Sequence, residues 1–386
     1  MSVGIKKINI VVPVYNQLDL TRACLTSVLC TIDRSVVDIV VIDDASTDRA
    51  LQTYLRGLHD CEEIILITNS RNKGFTRSVN LGMAHNAGRD VILLNTDTIV
   101  YRDWVERLHR AACSDERIGT VNPLTNFGGS HIAFYPNAEQ DLDIEVDHSS
   151  LDWMARNFNA GALVYSHTTV GFCMYIKRTC INELGYFDVE HFPRAYGEEA
   201  DFCYRASYLG WKHAISSDVF VSHFHGKSFG TEKEKLMGSM LETFRALHPK
   251  FYEVDASFWK IDPMKSSRQS LDLARLSNLT IDDGELQIFC DLESTACSKR
   301  LALVYNSETR RLTFKFGLDL QGFFDLPNFL LPHDINLLAA TLRKIGVKRI
   351  TYFSEESKAR LEASTVGERY ETKWSEAMSD FEIRLR

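Results

Sequence analysis

The sequence predicts a doubly wound α/β fold followed by a smaller α/β domain, on three observations. Apolar, β-branched runs alternate with stretches at helical spacing; Val91 to Leu94 is an aliphatic run with no polar alternation; and strand signals restart beyond a Ser-rich segment after Pro263. The alternation is the rhythm of βαβ units. An unalternated aliphatic run is a strand covered on both faces, and a Ser-rich interruption marks a boundary. With 386 residues, 45% of them hydrophobic, the chain can bury a large core and divides most simply into two domains.

The first strand is Ile8 to Val14, followed by Leu20, Cys24, Leu25, Val28 and Leu29 on one helical face and the β-branched run Asp38 to Ile42. Ser46 and Thr47 are placed to cap a helix reaching about Leu58. Ile64 to Thr68 is the third strand, Phe75 to Ala87 the next helix and the Val91 run the fourth strand, all in parallel style. Between Asn122 and Asp152 the pattern breaks into Pro123, Asn126, Gly128, Gly129 and Pro136, a length that compact folds keep for a substrate-binding or lid segment. Regular signals resume with Phe172 to Ile176 (strand), Glu198 to Leu209 (helix), His213 to Val221 (strand) and a charged helix from Thr231.

Residues 1–265 are therefore expected to form one domain, 266–284 a linker and 285–386 a small α/β domain. The last carries strand signals at Leu286 to Cys290, Leu301 to Tyr305 and Leu312 to Phe316. An amphipathic helix through Ile335, Leu338, Leu342 and Ile345 is stopped by Gly346, then Arg349 to Phe353 reads as a strand and Glu355 to Ala363 as a helix. No chemical signature accompanies them, so the sequence assigns this domain no role; a protein partner or self-association is one reading open to it.

A net charge of -8 and the lack of a long Lys/Arg block exclude nucleic acid as the main partner, while a small anion needs only a few local cations. The nine cysteines are scattered, and Cys24, Cys173 and Cys290 sit in apolar or helical contexts, so reduced thiols are expected. Met1 to Lys7 lacks a signal-peptide pattern, and no run approaches the roughly 18 apolar residues of a membrane span. A cytoplasmic protein is expected, with room for peripheral contact at the inner face of the membrane.

The chemistry gathers at strand ends, where open α/β sheets bind ligands. Pro13, Tyr15 and Asn16 end the first strand and Asp44 the second. A ring can stack on a nucleobase and a carboxylate can accept from an imide N–H; capping and simple packing are the alternatives. Arg71, Asn72, Lys73 and Gly74 offer a glycine turn, two cations and an amide ahead of a helix, a favourable place for phosphate. Asn95-Thr96-Asp97 ends the fourth strand with a hard oxygen ligand suited to a divalent cation on a diphosphate. Glu198, Glu199 and Asp201 crowd the start of a helix, where the dipole favours acids but where crowding and burial also raise a carboxyl pKa toward that of a general base. His223, His225 and Lys227 follow a late strand, and His with a distant Asp can complete a metal site.

Taken in chain order, these strings resemble the inverting glycosyltransferases of family 2, which have the GT-A fold. The resemblance covers about residues 6–262 and rests on VVPVYN from Val11, DDASTD from Asp43, NKGF from Asn72, NTDT from Asn95, GFCMYIKR from Gly171, YGEEADFCYRA from Tyr196 and HFHGKSF from His223. With NPLTNFGGS from Asn122, the wording is most similar to a bacterial subgroup that works in polysaccharide and O-antigen assembly. It implies a GT-A-like, Rossmann-type mixed sheet flanked by helices. It also implies a nucleotide-sugar donor, UDP- or dTDP-linked, and a glycan acceptor that can be lipid-linked. Pro13, Tyr15, Asn16 and Asp44 would surround nucleobase and ribose, with Asn72 and Gly74 beside the nucleotide. Asp97 and His223 would hold Mn²⁺ or Mg²⁺, helped by Lys227 on the diphosphate. The family's Asp-x-Asp motif has Asn95 here in place of its first acid. Glu199 falls where the family carries its catalytic base, with Glu198 as the alternative.

Two other readings compete. A nucleotidyltransferase shares the sheet type but carries a Gly-rich, basic signature where this chain has Pro13-Val14-Tyr15-Asn16. A catalytically silent sugar-nucleotide-binding or scaffold module would suit Asn95, whereas the intact Asp97, Glu199 and His223 favour an active transferase.

Overall fold

The computed structural model describes residues 8–126, 130–134, 146–194, 196–224, 241–277, 285–290, 301–316, 328–331, 333–352, 355–364 and 374–385. The chain divides into two compact units, residues 1–143 with 147–265 and residues 266–386 with 144–146.

In the first unit, strand and helix alternate as β1 (Ile8–Val14), α1 (Leu18–Leu29), β2 (Val37–Asp43), α2 (Arg49–Asp60), β3 (Ile65–Thr68), α3 (Phe75–Ala84) and β4 (Asp90–Leu94). There follow β5 (Thr98–Ile99), α4 (Trp104–Cys113), β6 (Ile118–Thr125), α5 (His148–Phe158), β7 (Leu163–Ser166) and β8 (Cys173–Ile176). The unit ends with α6 (Arg178–Leu184), α7 (Glu198–Tyr208), β9 (Lys212–His223) and α8 (Phe251–Ile261). The sheet runs β3-β2-β1-β4-β8-β6-β9-β5, with β7 also paired to β9. The first four strands are mutually parallel, and β8 enters antiparallel to β4. The sheet is therefore mixed, with helices packed on it.

Strand order sets the position of the site. The chain steps outward from β1 to β2 and β3, then returns to lay β4 on the other side of β1. That reversal opens a crevice beyond the carboxyl ends of β1 and β4, where diverging connections leave room for a ligand. The strands are buried on both faces: on one, Val11, Val40, Ile42, Val91 and Leu93 pack with Val79 and Met83 of α3 and with Met174 and Ile176 of β8, and on the other Ile10, Val12, Val41, Ile92 and Leu94 are fully buried. Fully burying each such side chain stabilises by about 1.5–3 kcal/mol. Helix α3 lies close to β1 because residue 82 is glycine; a Cβ there would sit 2.2 Å from Val11 Cγ1.

Several expectations are corrected. The cap of α2 is Asp48, whose carboxylate accepts from the N–H groups of Ala50 and Leu51, and not Ser46 or Thr47. The irregular segment expected from Asn122 begins later and ends earlier: Asn122 and Pro123 are buried within β6, and α5 starts at His148. Proline is tolerated there because the β6–β9 register shifts between Pro123 and Leu124, relieving the ladder of the missing N–H. Asn122 is held inside by donating to the carbonyls of Val170 and Cys173. The expected helix from Thr231 lies outside the described residues as far as 240, and 241–247 are helical.

In the second unit, the Ser-rich run expected as a linker is the helix α9 (Lys265–Ser277), with Leu271, Ala274 and Leu276 buried. The rest of the linker lies outside the described residues. Six strands follow, β10 (Glu285–Cys290), β11 (Leu301–Asn306), β12 (Arg311–Phe316), β13 (Asn328–Leu330), β14 (Arg349–Tyr352) and β15 (Glu382–Leu385), in the order β13-β12-β11-β10-β14-β15. Helices α10 (Ile335–Lys344), α11 (Glu355–Ser364) and α12 (Trp374–Ala377) accompany them. Leu303, Phe314, Phe329, Leu338, Leu342, Ile350 and Trp374 share one core.

Candidate active site

A cleft of about 700 Å³ opens at the crevice beyond β1 and β4. Its lining includes Pro13, Tyr15 and Asn16 from the end of β1, Asp44 from the end of β2, Asn72 and Gly74 ahead of α3, and Asn95 and Asp97 after β4. The ends of β1, β2 and β4 and the turn ahead of α3 thus meet in one cavity. Glu198, Glu199 and His223 do not line it, and Lys227 lies outside the described residues.

Tyr15 is 49% exposed, a ring open to a planar ligand. Asn16 turns inward: its backbone is left-handed (φ 58°), its N–H donates to Ser46 Oγ, and its side-chain oxygen accepts from the N–H groups of Thr47 and Asp48. Ser46 and Thr47 thus join the β1 exit to the β2 exit. Asp44 is buried, and its Oδ1 accepts from Asn69 Nδ2 and the N–H of Lys73, both at 2.8 Å, while Oδ2 accepts from the N–H of Gly74 at 2.9 Å. Asp44 therefore fixes the 72–74 turn, and each oxygen keeps further acceptor capacity toward the cleft. Gly74 adopts φ +87°, and a Cβ there would stand 2.9 Å from the carbonyl oxygen of Pro193, so both conformation and space demand glycine.

At the far end, the Asn95 carbonyl accepts from Thr98 Oγ1 at 2.7 Å, and its N–H donates to the Phe172 carbonyl at 2.8 Å, tying this turn to β8. Asp97 Oδ1 is buried without a hydrogen-bond partner, 3.3 Å from His223 Nε2 in a contact that lacks hydrogen-bond alignment. His223 ends β9 and is placed by an antiparallel register with β5: it faces Thr98, its N–H donates to Asn126 Oδ1, and its ring stacks on Phe172 at 4.9 Å between centroids. Phe224 donates its N–H to the Asp97 carbonyl at 2.8 Å, closing the loop.

The residues fit a divalent cation in part. A buried carboxylate oxygen without a donor beside an imidazole nitrogen is a pair of ligands that a hard cation would satisfy. Among the described residues no group of three His, Cys, Asp or Glu side chains assembles to hold a metal, so diphosphate and water oxygens would complete the shell.

Glu198 and Glu199 open α7 behind two left-handed residues, Tyr196 (φ 70°) and Gly197 (φ 97°). A non-glycine residue held there costs of order 1–3 kcal/mol, a strain that such turns keep where a side chain must be aimed. Glu198 is buried, and burial followed by the charge of Glu199 pushes its carboxyl well above the usual range. Burial also raises Glu199, against the N–H groups of Glu199, Gly171 and Gly197, which pull it down. Oε2 of each is buried with no partner. Glu199 lies against Gly171, where a Cβ would come within 4.0 Å of its side chain. Gly171 leads directly to Phe172, which stacks on His223, so one chain of contacts joins the carboxyl pair to Asp97. Asp201 is set apart by its partners, Arg205 Nε at 2.7 Å and His248 Nε2 at 2.9 Å, which give it a structural task.

The cleft also takes in Lys73, Arg77 and Arg194. Lys73 was visible as one of two cations in the turn. Arg77 falls one turn into α3, a spacing from Gly74 that could have marked it; no local pattern marks Arg194.

Residues 9–181 match the family model described as glycosyl transferase family 2. Among curated proteins, the chain is similar to "Glycosyltransferase GlyA" of Streptococcus pneumoniae serotype 4, 29% identical over 129 residues, or 33% of this chain and 18% of that protein. It is also 30% identical over 121 residues to an undecaprenyl-phosphate 4-deoxy-4-formamido-L-arabinose transferase of Yersinia pestis, covering 30% of this chain and 37% of that protein. The chain therefore spans well under half the length of these relatives. A crystal structure of GalNAc-T7 with UDP, GalNAc and Mn²⁺ aligns over 63% of this chain and 48% of that chain at 18% identity, with a TM-score of 0.49.

Proposed function

We propose that the chain, which carries a glycosyl transferase family 2 domain over residues 9–181, is an inverting glycosyltransferase using a nucleoside diphosphate sugar and a divalent metal. The observation that carries this reading is the convergence of three strand ends, bearing Pro13 and Tyr15, Asp44, and Asn95 and Asp97, on one cleft large enough for a nucleotide.

In this reading Tyr15 stacks on the base, while Asp44 and the 72–74 turn it fixes hold the base and ribose. Asp97 and His223 hold the cation, Mn²⁺ or Mg²⁺, with the diphosphate. Bound there, the cation would neutralise charge developing on the leaving diphosphate. Glu199 takes the proton from an acceptor hydroxyl as its oxygen attacks the anomeric carbon; the bond to the diphosphate breaks on the opposite face, inverting the centre. A raised pKa suits Glu199 to that step, and the unpaired Oε2 leaves an acceptor for the proton. Glu198, buried more deeply and pushed further up, is assigned the supporting place in the pair.

The UDP- or dTDP-linked donor and the glycan acceptor of bacterial surface polysaccharide or O-antigen synthesis remain part of this proposal. The Yersinia relative's name includes undecaprenyl phosphate, which supports a lipid-linked acceptor met by peripheral contact at the inner membrane face. Among the described residues no helix is long and apolar enough to cross a membrane. The second unit is assigned a protein partner or self-association.

A second reading, a silent sugar-nucleotide-binding module, is favoured by one feature, the amide of Asn95 where the motif has an acid. Thermal unfolding with UDP, dTDP, GDP and CMP, each with and without Mn²⁺, tests the shared premise, because a ligand of the folded state raises the midpoint. A metal-dependent shift with one nucleotide supports the proposal; no shift with any of them removes it. Sugar transfer then separates enzyme from module.

A further inference from the structure

The candidate nucleotide cleft and the carboxyl pair are joined by a stretch of chain to which neither the motifs nor the proposed mechanism gives a role. Residues 187–194 run along α3 and are bonded to it at both ends, at Phe187 and from Phe192 to Arg194. Asn80 donates through Nδ2 to the Phe187 carbonyl at 2.8 Å and accepts the Phe187 N–H at 3.1 Å. Thr76 Oγ1, fully buried, donates to the Phe192 carbonyl at 2.6 Å. Phe75 donates its N–H to the Arg194 carbonyl at 2.9 Å, directly after Gly74, whose missing Cβ lets the Pro193 carbonyl approach.

This strap ends at the cleft wall. Pro193 and Arg194 both line it, together with residues that end β1 and follow β4, and Arg194 is exposed. The chain then reaches the left-handed pair Tyr196 and Gly197 and, at once, Glu198 and Glu199. Arg194, its own carbonyl bonded to α3, therefore stands two residues before the left-handed turn from which the carboxyl pair starts, so that a ligand on Arg194 bears on the segment that places the pair.

The geometry points to Arg194 as a further donor-binding residue, one that grips the nucleotide and in doing so sets the position of Glu198 and Glu199. A guanidinium presents a rigid fork of donors to phosphate or nucleobase oxygens and a flat cation to an aromatic face, so a nucleoside diphosphate offers it partners at either end. The donor would then help to order the base that deprotonates the attacking acceptor, which couples chemistry to a filled cleft. The inference rests on the nucleotide-donor reading of the cleft.

Wild type, Arg194→Ala and Arg194→Lys are compared in calorimetric titrations with UDP, dTDP and GDP in Mn²⁺, followed by amide hydrogen exchange on peptides spanning 196–201. The expected result is that the nucleotide bound by wild type binds Arg194→Ala roughly tenfold more weakly, with part of the loss recovered in Arg194→Lys, the scale of one charge-assisted contact. At saturating nucleotide, exchange at 196–201 slows in wild type and responds less in Arg194→Ala. Equal affinity in wild type and Arg194→Ala, or exchange at 196–201 indifferent to nucleotide in wild type, overturns the inference and leaves the donor reading standing. Failure of wild type to bind any of the three removes both.

Discussion

Asp97 Oδ1 lies 3.3 Å from His223 Nε2, and the two residues arrive there from opposite sides of an antiparallel pairing in which Thr98 faces His223. Neither side chain explains the other: the oxygen is buried and accepts no hydrogen bond. A cation held by the two residues and a diphosphate would supply what Asp97 Oδ1 lacks.

Asp97→Ala is accordingly expected to abolish the Mn²⁺-dependent part of any nucleotide-induced rise in unfolding temperature while keeping the part seen without metal. Thermal scans of the variant with and without Mn²⁺ decide this, and an undiminished metal effect removes Asp97 from the ligand set.

Glu199→Gln should lower sugar transfer by at least about a hundredfold, the ordinary reach of general base catalysis, and leave nucleotide binding as in wild type. Initial rates and nucleotide titrations on one preparation separate the two. A variant that loses binding along with turnover would show that Glu199 shapes the cleft instead.

Glu198 predicts a pH dependence of stability. Below its ordinary value of 4.5 the carboxyl is protonated in folded and unfolded chains alike. As pH rises past 4.5 the unfolded chain releases its proton while the fold, which buries the group beside Glu199, retains it, so stability is lost until the raised value is passed. Each unit of that interval costs about 1.4 kcal/mol. Glu198→Gln should therefore unfold at a higher temperature than wild type at pH 8, by about 2–4 °C per kcal/mol gained, and the difference should shrink to nothing near pH 4. A difference independent of pH would contradict the buried-acid account.

Gly74→Ala tests the turn at the cleft. The substitution forces a Cβ to 2.9 Å from the Pro193 carbonyl at φ +87°, and about 1–3 kcal/mol of stability should be lost, together with nucleotide affinity. Denaturant titration measures the first; unchanged stability would mean that the 193–194 segment yields freely, against its bonds to α3.

Much of this arrangement is legible in the sequence because buried parallel strands announce themselves as aliphatic runs. Val91 to Leu94 reads as a covered strand and is one, and the polar residues that end β1, β2 and β4 gather because parallel strands share a carboxyl edge. Errors arise where residue type underdetermines partner. Ser46, Thr47 and Asp48 are all capable caps; Asn16 claims the neighbourhood of the first two and leaves Asp48 to the helix. The Ser-rich run reads as a linker by composition, yet Leu276 joins the core of the second unit and Leu271 and Ala274 are buried on the same helix. Arg194 was invisible because its place in the cleft depends on α3 fastening a distant segment, which no local pattern encodes.

The central claim is tested most directly by release of nucleoside diphosphate from UDP-, dTDP- and GDP-sugars in the presence of Mn²⁺ and a glycan acceptor mixture, with wild type and Glu199→Gln run side by side. The account predicts metal-dependent release from one donor by wild type and little by the variant, both binding that donor's nucleotide equally. Equal release by the two proteins, or a wild type that neither binds nor turns over any of the donors, would contradict it.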